Sequence, residues 1–123
     1  MEIDIEMKKE NVIVDKSFYF GVRIIKFYKF LCYEKHEDIL GKQILRSGTS
    51  IGANVKEAIR GQTDADFFAK MNIALKEASE TEYWIELLYA TNIINKNCYF
   101  SLLNDCQELI KILTAILKNQ KKS

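Results

Sequence analysis

None of the 123 residues is proline, where average usage would place about six. Proline removes a backbone donor and clashes with the preceding turn, so a chain without it is free to run long uninterrupted helices. The apolar residues follow the helical period. Phe18, Val22, Ile25, Tyr28 and Cys32 recur at that spacing, with Phe20, Ile24, Phe27 and Leu31 as a second stripe beside them. After Glu34-Lys35-His36-Glu37-Asp38, the period resumes through Leu40, Ile44, Ile51, Val55 and Ala58, and Gly61 closes this second helix. Thr63-Asp64-Ala65-Asp66 has the form of a capping box and opens a third helix through Phe67, Met71, Ala74, Ala78, Ile85 and Leu88. Asparagines at 92, 95 and 97 end it. A fourth helix carries Tyr99, Leu102, Leu103, Cys106, Leu109, Ile110, Leu113, Ile116 and Leu117.

Four amphipathic helices joined by short loops predict an all-α fold, an antiparallel up-down-up-down four-helix bundle. The whole chain, 1–123, is expected to form one domain. Residues 1–14 read as a polar leader with a short extended piece between Ile3 and Val14, and residues 119–123 as a frayed basic tail.

The second helix carries an anomaly. Within "RSGTSIGANVKEAIRG", Gly48 and Gly52 sit where each interior glycine costs about 1 kcal/mol relative to alanine. On a 100° wheel they share a narrow arc with Gly41, flanked by Leu45 on one side and by Ile44, Val55 and Ile59 on the other. Small residues along one arc let a second backbone approach closely, so Gly41, Gly48 and Gly52 read as a packing seam for another helix, of this chain or of a second subunit.

Enzymatic chemistry lacks a residue set. A di-iron bundle site needs Glu-x-x-His pairs on two helices, and the sole histidine, His36, falls in a loop. The glycines around Thr49 match neither a Walker loop nor a dinucleotide fingerprint. Ser47 and Ser50 have no histidine at local spacing, and Glu77, Glu80, Glu82 and Glu86 scatter around their helix as a solvated or salt-bridging face. Three cysteines, Cys32, Cys98 and Cys106, suit neither a disulfide framework nor a zinc site. The expectation is a non-enzyme with no cofactor and no metal. With no basic-apolar leader and no long apolar run, it is also expected to be cytoplasmic and without membrane partners.

Surfaces remain. The formal charge is only +1, yet residues 16–33 hold Lys16, Arg23, Lys26 and Lys29 without an acid, while the third helix is acidic. Lys42, Arg46, Thr49, Lys56 and Arg60 share one side of the second helix, a candidate phosphate-binding stripe. Tyr19, Arg23, Lys26 and Tyr33 on the first helix form an aromatic-basic alternative. Surplus apolar residues, Ala69, Ile73, Trp84 and Leu87 on the third helix with Phe30 and Tyr33 on the first, are candidates for a subunit interface. Basic first helix against a neighbour's acidic third helix is the expected register.

The stretch from Ile44 to Leu88, with Arg46, Ser50, Ile51, Ala53, Asn54 and Glu57 followed by Phe67, the Ala74/Ala78 spacing and Glu82-Tyr83-Trp84, resembles a known family. Its members are four-helix bundle proteins named for reading frames inside intervening sequences of bacterial 23S ribosomal RNA genes. The first helix, "KSFYFGVRIIKFYKFL", and the fourth extend the likeness over nearly the whole chain. Many members carry proline where Gly52 stands, which implies a straighter helix here. The resemblance implies a ring assembly, usually a pentamer, without known catalysis. It also implies either RNA or DNA binding or a scaffold role for a partner enzyme, as in the accessory variability protein of diversity-generating retroelements, which associates with a reverse transcriptase.

Overall fold

A computed structural model of the chain describes residues 3–120, with side chains described from Glu10 onward. The described residues form four helices and no strand: α1 (Ile3–Tyr33), α2 (Asp38–Ile59), α3 (Asp64–Ala90) and α4 (Lys96–Leu117). Around the bundle, α1 packs on α2 and α4, and α3 packs on α2 and α4. None of these helices is long and apolar enough to cross a membrane.

The expected leader is instead part of α1, which begins at Ile3. The segment contains no glycine or proline and is rich in Glu, Lys and Met, residues that lose little rotamer freedom in a helix. It also carries core: Ile13 is fully buried, and Ser17 continues the buried stripe into Phe20, Ile24, Phe27 and Leu31. The other stripe of α1 lies at the margin, with Phe18 64% exposed, Ile25 also exposed, and Val22, Tyr28 and Cys32 half-buried. At the opposite terminus, Asn119 and Gln120 bond back to the Ile116 and Leu117 carbonyls. The rest of the expected frayed tail, 121–123, lies outside the described residues.

Each loop ends in a cap. Glu37 accepts from the Leu40 N–H, Thr63 from Asp66 N–H at 3.0 Å and Asn95 from Cys98 N–H at 2.8 Å, satisfying donors that the first helical turn leaves open. The left-handed positions that follow α1 and α3 fall to His36 and Asn92. Gly61 does not close α2 by a left-handed turn, because no glycine in the described chain has positive φ. Its role is proximity: a Cβ there would lie 3.1 Å from both the Ala58 carbonyl oxygen and Asp66 Cβ.

The glycine seam faces α1 of the same chain. A Cβ on Gly48 would lie 2.8 Å from both Cγ atoms of fully buried Ile24, and one on Gly52 would lie 3.2 Å from the Ser17 carbonyl oxygen. At Gly41 the Tyr28 ring would be 3.4 Å away, an ordinary contact. Close approach therefore constrains Gly48 most and Gly52 next, and leaves room at Gly41.

On the other side of α2, two buried hydroxyls meet. Thr81 Oγ1 is 2.8 Å from both Ser47 Oγ and the Glu77 carbonyl oxygen. A carbonyl can only accept, so Thr81 donates to it and accepts from Ser47. Thr81→Val keeps the shape but leaves the Ser47 hydroxyl with only a 3.5 Å approach to Ile44 O, and the expected cost is about 1–2 kcal/mol. Urea unfolding at unchanged m-value checks it. Cys106, also buried, donates to the Ala78 carbonyl, and burial, with Glu82 and Asp105 nearby, pushes its thiol up to about 12. In a native titration with a thiol reagent at pH 8, Cys106 is expected to stay unreacted until the chain unfolds, because it is the thiolate that reacts.

Candidate nucleic-acid interface

The α2 stripe flanks the buried seam, because 3.6 residues per turn place Lys42, Arg46, Thr49, Lys56 and Arg60 on average about a third of a turn from Gly41, Gly48 and Val55. All four cations are exposed, along roughly 27 Å of helix axis. They are not equivalent. Arg46 reaches across to α3, pairing with Glu77 at 3.1 Å and with Glu80. Partial burial pulls its pKa down, but the two carboxylates outweigh that and raise it. Glu80 also accepts from Trp84 Nε1 at 3.1 Å, so the guanidinium belongs to an intramolecular clamp between α2 and α3. Thr49 turns its hydroxyl back to the Leu45 carbonyl at 2.7 Å. Glu57, the carboxylate nearest in sequence to Lys56, is paired with Lys70 at 3.0 Å. Among the described residues, Lys42, Lys56 and Arg60 have no carboxylate within 4.0 Å.

The α1 candidates divide in the same way. Arg23 bonds to Asp105 at 2.6 Å and to Ser101 through both its hydroxyl, at 2.7 Å, and its carbonyl, at 3.3 Å, which ties α1 to α4. Lys16 pairs with Glu108, a bond that raises its pKa. Lys26 and Lys29 remain exposed without a carboxylate partner among the described residues. Tyr19 and Tyr33 stand out at 68% and 75% exposure. Arg23 and Arg46, expected as phosphate ligands, each tie two helices of the chain together. Heptad spacing showed the face each occupies; the acids that reach them come from other helices 31–82 residues away in sequence.

The interface candidates also separate. Ala69, Ile73 and Tyr33 are exposed, whereas Trp84 and Leu87 are half-buried, Trp84 held by its bond to Glu80. Phe30 stacks on buried Phe27 with ring centroids 6.1 Å apart and keeps 38% exposure. The acids expected to meet a neighbour's α1 are largely engaged in the chain itself: Glu77 and Glu80 by Arg46, and Glu82 by Gln107 at 3.1 Å. Glu82, Glu86, Asp64 and Asp66 are the carboxylates of α3 with no ion pair among the described residues. No group of three His, Cys, Asp or Glu that could hold a metal occurs among the described residues, and His36 is exposed in the α1–α2 loop.

Residues 9–115 match the family described as 23S rRNA-intervening sequence protein. The chain belongs to that family. A similar solved structure is a protein with unknown function from the S23 ribosomal protein family of Bacteroides thetaiotaomicron VPI-5482. It is 56% identical, with a TM-score of 0.89, over 90% of this chain and 99% of that one. No curated protein matches the chain. For this family member, the motif that carried the resemblance now has physical content. Arg46 is the α2–α3 clamp, Ser50 back-bonds to the Arg46 carbonyl at 2.6 Å, and Asn54 donates to the Ser50 carbonyl at 2.8 Å. These motif residues hold the scaffold, and the unpaired cations lie beside them. The sequence reading passed over Lys35 and Lys96, which the fold brings to one cleft from positions 61 residues apart.

Proposed function

We propose that this chain is a non-enzymatic, oligomeric nucleic-acid-associated protein, with RNA as the preferred ligand, that works in the cytoplasm without membrane contact. The observation that carries the reading is a group of exposed cations on α1 and at α2 with no carboxylate partner among the described residues, Lys42, Lys56, Arg60, Lys26 and Lys29. Neighbouring acids neutralise Arg23 and Arg46 but leave these five to the solvent. A net charge of +1 on one protomer gives weak attraction; a ring, as a pentamer, repeats the stripe in every subunit, and phosphate neutralisation accumulates with each contact. The helices run up-down-up-down in this reading. Its support is the register in which Gly41, Gly48 and Gly52 meet Tyr28, Ile24 and Ser17 in descending order. Native mass spectrometry of the purified chain, before and after nuclease treatment, tests the reading. The expected result is a discrete oligomer carrying nucleic acid at low salt; a bare monomer at high concentration would overturn it.

A second reading, a scaffold for a partner enzyme such as a reverse transcriptase, is favoured by one feature. Between α1 and α2, a cleft of about 440 Å³ has an apolar floor of Val14, Phe18, Val55 and Ile59, with Phe18 and Ile59 exposed and Asp15, Lys56 and Arg60 also lining it. Phe18→Ser is expected to leave nucleic-acid affinity unchanged under the first reading and to abolish partner binding under the second, as a pull-down with the candidate enzyme would show.

A further inference from the structure

At the end of the bundle where α1 stops and α3 turns into α4, a cleft of about 380 Å³ opens, in the size range of small-ligand sites. Its walls include Phe30 and Tyr89, and Lys35 and Lys96 lie at its lining with Asn92 and Asn95. No carboxylate lines it, in contrast to the cleft between α1 and α4, which holds Asp15, Asp105 and Glu108, and the one at the α2–α3 turn, which holds Glu10 and Asp64. Phe30 stacks on Phe27, keeps 38% exposure, and has Lys35 Nζ over its ring at 5.8 Å from the centroid, a flexible ammonium that a base stacking there would displace toward its phosphate. Tyr89 is backed by Tyr99, stacked at 4.2 Å and 11°, so its ring is held rigidly. Asn95 uses its side-chain oxygen to cap α4, which leaves its amide NH₂ to donate. Neither lysine has a carboxylate within 4.0 Å among the described residues.

Aromatic faces, amide edges and two unneutralised ammonium groups match the parts of a nucleotide in turn: ring, base edge and phosphate. Phe30 also lies on α1 between Lys26 and Tyr33, so the cleft is continuous with the exposed aromatic-basic face of that helix. We infer that this cleft binds a base of single-stranded nucleic acid, with Phe30 stacking on the ring and Lys35 and Lys96 holding the flanking phosphates. The inference rests on the nucleic-acid reading above and adds a base-dependent contact to a surface that otherwise reads only phosphate.

Fluorescence anisotropy on the full chain distinguishes the two. The probes are a single-stranded 12-nucleotide oligodeoxyadenylate and the same backbone with every base replaced by an abasic site. The abasic strand is expected to bind at least about fivefold more weakly, the effect of one stacked base. Phe30→Leu, which keeps apolar packing but removes the ring, is expected to erase that difference. Lys35→Ala/Lys96→Ala, on exposed positions that leave folding intact, is expected to weaken the base-bearing strand by a similar factor. Equal, salt-sensitive affinity for both strands, unmoved by the lysine variant, overturns the cleft while leaving the phosphate-binding face standing. Absence of binding to either strand by the unaltered protein overturns the cleft, and if a structured RNA also fails to bind at low salt the nucleic-acid reading falls with it.

Discussion

Gly48→Leu is expected to destabilise the bundle by about 3 kcal/mol, the upper range for forcing extra methylenes into a packed interior. A methyl group alone would already sit 2.8 Å from Ile24 Cγ1 and Cγ2, and Ile24 is fully buried, so it has no free volume to retreat into. Gly48→Ala gains about 1 kcal/mol of helix propensity but meets the same obstruction, and a net loss of about 1 kcal/mol is expected. The control is Gly21, on α1, where an added Cβ would meet nothing within 4 Å. Gly21→Ala is expected to stabilise by up to about 1 kcal/mol through propensity alone. Gly41→Ala, at ordinary contact distance from Tyr28, should fall between them. Urea midpoints of the four variants, at constant m-value, order as Gly21→Ala, Gly41→Ala, Gly48→Ala, Gly48→Leu from most to least stable. If all three glycines tolerated alanine equally, close α1–α2 approach would not be the reason for glycine.

The second large effect concerns binding. Charge reversal at the three unpaired cations of α2, Lys42→Glu/Lys56→Glu/Arg60→Glu, is expected to lower affinity for a structured RNA at low salt by about a hundredfold or more, because each phosphate contact contributes separately to the electrostatic term. Stability should change by less than about 1 kcal/mol, since these side chains are exposed and hold no partner. Arg46→Gln gives the opposite pattern: affinity nearly unchanged and modest destabilisation, because the guanidinium clamps Glu77 and Glu80 on α3. Parallel filter binding and thermal melts of the two variants separate a ligand face from a structural clamp.

Much of this architecture was legible in the residues themselves. Missing proline, four apolar periods and the Thr63 cap marked α2, α3 and α4 nearly to their ends, and three glycines on one arc of α2 marked a seam. What stayed hidden depends on which helix lies next to which. The periodicity of α1 offered two stripes, and only packing against Gly48 and Gly52 selects the one with Ile24 and Ser17. The start of α1 at Ile3 was missed because charged residues dominate its first turns, and a helix reads as amphipathic only where its apolar positions recur. At the candidate site, the exposure of Lys42, Lys56 and Arg60 followed from the wheel, but the neutralisation of Arg46 and Arg23 did not, since Glu80 and Asp105 are distant in sequence. The Phe30–Lys35–Lys96 cleft had no local signal because it exists only where two loops meet.

The dependence of RNA affinity on salt tests most directly whether the unpaired α2 cations are the ligand surface. For the unaltered protein, log K should fall linearly with log[KCl] from about 50 mM upward, and the triple charge-reversal variant should show a slope shallower by about 3 for each protomer in contact. Identical slopes for the two proteins, or affinity indifferent to salt, would contradict the account.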